Sequence, residues 1–122
     1  MNGLARVLGL LMVILSGQAI AGEADVIDVK VRSAGAATYD FDVTIRSNDT
    51  GWDHYADAFE ILAPDGSVLG RRVLLHPHIE EQPFTRDLYG VEIPTGIDQV
   101  TVRARHRPKG YDGQTMMVPL PR

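Results

Sequence analysis

Histidine is the residue here whose type and spacing could do chemistry, and it occurs at His54, His76, His78 and His106. The chain contains no cysteine, so imidazoles and carboxylates are what remains for a transition-metal site. Several imidazoles together suit Cu(II), Zn(II) or Ni(II), with copper the best fit. In His76-Pro77-His78 the imidazoles stand at alternate positions, which in extended backbone is one face. Pro77 fixes its own φ and biases His76 toward extended geometry, so the pair is partly preorganised. His54 is the expected third ligand, and His106 is either a fourth or a lid on the core. A plainer reading competes: a histidine beside a proline often does no more than fix its loop by hydrogen bonding.

Other chemistries fare worse. Without cysteine, iron–sulfur centres, thiolate copper sites, Cys zinc sites and thiol nucleophiles are excluded. Ser47, Thr50 and Thr85 are available hydroxyls, yet none stands in a nucleophile motif that would pair with a histidine base and an orienting acid. A domain this small has little volume for the cleft that glycoside cleavage requires. The chain is therefore expected not to be an enzyme. Its net charge of −4 argues against nucleic acid, which is bound through clustered Lys and Arg. Trp52, Tyr55, Phe84 and Tyr111, with Arg86 and Arg107 nearby, are the residue types that dominate protein interfaces. Trp52 could equally plug the open end of the core.

These side chains must be positioned by a fold that starts after a leader. Met1 to Arg6 carries one positive charge, Val7 to Leu15 is apolar apart from Gly9, and Ala19-Ile20-Ala21 is a small-x-small cleavage pattern. The apolar run is shorter than the roughly 20 residues of a membrane span, and no lipid-bearing cysteine accompanies it. The expectation is a signal peptide over 1–21, cleaved after Ala21, and one domain over 22–122 in the periplasm or outside the cell. That domain would have no membrane span.

Beyond the leader, apolar residues recur with a period of two. Ile27, Val29 and Val31 alternate with charged residues, Tyr39, Phe41, Val43 and Ile45 form the cleanest half-buried strand, and Val100, Val102 and Ala104 repeat the pattern. Turn signals such as Pro64-Asp65-Gly66, Pro94-Thr95-Gly96 and Pro108-Lys109-Gly110 separate these runs. The segment 53–62 could be a short helix capped by Asp53, but Phe59-Glu60-Ile61-Leu62 before the Pro64-Asp65-Gly66 turn predicts a strand and hairpin. Val68 to Leu75 has a poor period and reads as an edge strand.

The run Leu88-Tyr89-Gly90-Val91-Glu92-Ile93-Pro94-Thr95-Gly96 leading into Val100-Thr101-Val102-Arg103-Ala104 resembles the join between the fifth and sixth strands of fibronectin type III and related immunoglobulin-like domains. The segments 51–57 and 76–86 are similar to stretches of small exported bacterial proteins of uncharacterised role. The resemblance implies an all-β fold, a single seven-stranded antiparallel immunoglobulin-like sandwich. In such a sandwich the loops after the second, fourth and sixth strands, here 47–54, 76–83 and 106–113, emerge at one pole. They hold all four histidines and Trp52. The expected function is an exported, non-catalytic binding or accessory module that meets a protein partner with Trp52, His54, Tyr55, His76, His78, Phe84, Arg86 and Tyr111. The alternative is a periplasmic metal-binding protein, copper first and zinc second, acting through His54, His76 and His78.

Overall fold

The computed structural model describes residues 22–121; the expected leader lies outside them. Seven strands follow one another: β1 (Ala24–Ser33), β2 (Thr38–Ser47), β3 (Tyr55–Leu62), β4 (Val68–Val73), β5 (Phe84–Glu92), β6 (Gln99–Arg107) and β7 (Met116–Pro119). They form two antiparallel sheets, one ordered β1-β2-β5 and the other β4-β3-β6-β7. No helix is present among the described residues.

The alternation of β2 explains its central place. Tyr39, Phe41, Val43 and Ile45 point inward and are buried, while Asp40, Asp42 and Thr44 face out. From the other sheet Phe59, Ile61, Val100, Val102 and Ala104 meet them in one shared core. Each large side chain removed from water there contributes about 1.5–3 kcal/mol, and no disulfide assists them.

Segment 55–62 is a strand throughout, paired to β4 and β6, and the hairpin at Pro64-Asp65-Gly66 forms as its turn chemistry predicts. The Asp65 carboxylate accepts hydrogen bonds from the amide and hydroxyl of Ser67, and Gly66 has φ +89°, a backbone region that costs a glycine nothing. β4 is indeed an edge strand. One strand departs from the expected phase. A bulge between Val26 and Asp28 shifts β1 by a residue, so Val26 enters the core at 1% exposure and Ile27 is only half-buried. A bulge flips the face of what precedes it.

The sheets are also joined along their sides. Arg72 of β4 donates to the main-chain and side-chain oxygens of Asp87 on β5. On the far side the Val26 amide donates to the Gln114 carbonyl, and Asp25 accepts from the amides of Gly22 and Gln114.

Candidate functional site

The β2–β3 and β4–β5 loops are tied together at their base by two side chains that spend their capacity on backbone. Asp49, 6% exposed, accepts the Ala56 amide through Oδ1 (3.0 Å) and the His78 amide through Oδ2 (2.8 Å). Gln82 accepts the Ser47 amide (2.9 Å) and donates to the His78 carbonyl (2.8 Å) and Ser47 Oγ (3.1 Å). Neither residue figured in the predicted site, although an Asx residue at the start of a loop is the usual local acceptor for loop amides.

His78 is the best-defined of the four histidines. Its ring lies parallel to that of Phe84, centroids 3.8 Å apart, and His76 leans on it at 4.5 Å. The Arg86 guanidinium stands 2.9 Å from His78 Nε2. A guanidinium can only donate, so Nε2 is the acceptor and Nδ1 carries the proton. That Nδ1 is buried and has no protein partner. Burial first, then the facing Arg86 cation and His76, holds the His78 pKa below the ordinary histidine value. The ring is therefore neutral near pH 7. His76 itself is exposed, its Nδ1 within 3.0 Å of the Pro77 carbonyl.

His106 occupies the inward phase of β6 and is 2% exposed, with neither ring nitrogen hydrogen-bonded. Of the two roles expected for it, the lid on the core is the one its burial matches. Its backbone closes the hairpin with Gly110 in both directions. His54 is exposed, and its ring centroid lies 6.1 Å from that of His106. The histidines thus meet as two pairs, His76 with His78 and His54 with His106. Among the described residues no three His, Cys, Asp or Glu side chains gather in a way that could hold a metal ion.

Trp52 does not plug the core. It is 63% exposed and stands edge-on against Tyr55, centroids 5.7 Å apart. Its loop is pinned by hydrogen bonds from the Thr50 amide to the His54 carbonyl and from the His54 amide to the Gly51 carbonyl. Tyr55 is buried beneath it and flanked by the Arg107 guanidinium. Phe84, expected at the surface, is a core residue that supports His78 from below. Arg86 is partly exposed and reaches Glu81 at 3.7 Å as well as His78. Tyr111 lies away from these groups, stacked on Arg103 at 3.6 Å. Two of the three hydroxyls are engaged elsewhere: Ser47 with Gln82, and Thr85 with Thr44 at 2.7 Å.

A shallow cavity of about 410 Å³ at the same pole is lined by Glu23, Asn48, Thr50 and His54. A second, of about 230 Å³, is bordered by Asp57, Arg105, Arg107 and the His106 hairpin.

No family model matches this chain, and no solved structure matches it. Over 96 residues it is 44% identical to a protein of Halomicrobium mukohataei named "Putative lipoprotein", a match that covers 79% of this chain and 47% of that protein. The chain spans about half the length of the curated relative it matches. No helix among the described residues is long and apolar enough to cross a membrane.

Proposed function

We propose that this chain is an exported, non-catalytic recognition module on an immunoglobulin-like β-sandwich. It meets a protein partner with the pole formed by the β2–β3 and β4–β5 loops. Sheets of three and four strands around one core support the sandwich class, and the fibronectin-like run at 88–104 supports its nearer assignment. The leader-like start of the sequence and the name of the Halomicrobium relative support export to the periplasm or beyond, with cleavage after Ala21.

The observation that carries the reading is Trp52: a 63% exposed tryptophan held on a loop that Asp49 fixes to its neighbour. Exposing an indole forgoes burial, and a fixed aromatic with arginines nearby is the usual anchor of an interface. The exposed His76 stands on the adjoining loop, and Arg86 near the start of β5 just after it.

The test places a photo-crosslinking amino acid at position 52 in the cells that make the protein, with position 89 as control. Tyr89 is also exposed but lies on β5. One discrete protein adduct at 52 and none at 89 is expected. Absence of an adduct at 52, or identical adducts at both positions, would overturn the proposal.

A further inference from the structure

A second surface, on the outer face of the four-stranded sheet, has a chemistry unlike that of the loop pole. Inward positions of β6 are apolar or His106, and its outward positions include Arg103, Arg105 and Arg107. Across β3 stands Arg71 of β4. Two acids on the central strand β3 hold these guanidiniums in place. Asp57 takes Arg105 Nε and Nη2 at 2.9 and 2.8 Å and has Arg107 at 3.6 Å. Glu60 takes Arg103 at 2.8 Å and has Arg71 at 3.5 Å. Both acids are buried, whereas the arginine side chains remain 30–55% exposed.

The acids are outnumbered two to one by the cations they hold, so the face is positive on a chain whose net charge is −4. Burial pushes the Asp57 carboxyl up, but the hydrogen bond and charge of Arg105, helped by Arg107, outweigh it and keep it ionised. Arg103 and Arg105 are anchored by short hydrogen bonds to Glu60 and Asp57, Arg71 and Arg107 are held by the longer ion pairs, and Tyr111 braces Arg103 from above. Anchoring removes the rotamer entropy that an exposed arginine otherwise loses on binding. N–H donors not used by Asp57 and Glu60 remain for a second anion, which guanidinium forks bind in bidentate fashion.

Spacing narrows the class of anion. Arg103, Arg105 and Arg107 recur at every second residue of a strand, roughly 6.8 Å apart. A peptide in extended conformation with Asp or Glu at alternate positions has the same repeat, so its carboxylates would fall in register with the guanidiniums. Exposed Val73, one strand repeat beyond Arg71, and Met117, opposite Thr101, border the face. Arginine, aromatic and methionine side chains together are the composition of protein interfaces. We infer that this sheet face is a docking site for an extended acidic peptide segment of another protein, laid along β6.

Fluorescence anisotropy with the purified protein tests this, using a labelled peptide of alternating glutamate and threonine. The comparison peptide has the same composition with its glutamates in one block. The alternating peptide should bind about tenfold more tightly than the blocked one, and added NaCl should weaken it. Arg107→Gln and Arg71→Gln each contact their acid only distantly, so both variants should keep the circular dichroism spectrum of the parent. Each should weaken binding several-fold. Trp52→Ala should leave it unchanged, which separates this face from the loop pole. Polyglucuronate and phosphatidylglycerol vesicles are the competing polyanions. Equal binding of the two peptides, tighter binding of either polyanion, or indifference to both arginine variants would overturn the inference.

Discussion

Replacing Asp49 by alanine removes one carboxylate and strands two amides. The Ala56 and His78 N–H groups lose their acceptors at 3.0 and 2.8 Å, at a place where Asp49 is 6% exposed. A buried donor left unpaired costs about 1–3 kcal/mol, so the pair predicts a loss of roughly 2–6 kcal/mol. That is a large part of the roughly 5–15 kcal/mol that holds a domain of this kind together. For about a hundred residues it corresponds to a fall in Tm of roughly 10–30 °C. Thermal unfolding by circular dichroism gives the total, and amide hydrogen exchange locates it. The amides of Ala56 and His78 should lose protection by more than that of Phe59 in the middle of β3. A fall in Tm smaller than about 3 °C, or uniform loss of protection across β3, would refute the idea that this carboxylate joins the two loops.

Three further outcomes follow from the same geometry. Trp52→Ala should change stability by no more than about 0.5 kcal/mol because its side chain is largely in water, whereas Phe84→Ala, in the core, should cost about 3–5 kcal/mol; comparable losses in urea unfolding would contradict the assignment of roles. His78 has a folded pKa below its unfolded value, so the unfolded state takes up the proton first. Stability should fall as pH drops below about 6.5 and level off once the folded ring also titrates. His78→Phe keeps the stack and removes the titration, and should flatten that slope; equal slopes in urea midpoints from pH 7.5 to 5 would count against it. Calorimetric titration with Cu(II) or Zn(II) should show weak uptake unaffected by His76→Ala/His78→Ala, since Arg86 occupies His78 Nε2; tight stoichiometric uptake lost in the variant would reinstate a metal centre.

Sheet residues with regular alternation were readable from sequence because one face of β2 and of β6 is core and the other is solvent. β3 was harder. All its positions are buried, and Asp57 and Glu60 can be so only because arginines from neighbouring strands neutralise them. A pairing between residues over forty positions apart leaves no local trace. The β1 bulge was invisible for a similar reason, since no glycine or proline marks it. For the candidate site, His54, His76 and His78 lie in the loops where sequence put them, whereas His106, expected in the loop after the sixth strand, is an inward residue of β6 itself. The fold then sorted them by burial, putting His78 and His106 inside and His54 and His76 outside. Trp52 was expected either as anchor or plug, and only its packing against one neighbour, with the rest in water, distinguishes the two.

The antiparallel register fixes where each chain end emerges. Ala24 opens β1 opposite Ser47, the last residue of β2, and Pro119 closes β7 opposite Gln99, the first residue of β6. The amino end of the described residues therefore lies beside Asn48, whose amide donates to the Glu23 carbonyl, and near the Trp52 loop, while the end of β7 lies at the other extremity of the two-sheet core. An affinity tag or carrier protein fused upstream would crowd the loops, and one fused downstream would leave them clear. The same asymmetry means that force applied between the two ends would run lengthwise through the molecule, from the loop pole to the bare one.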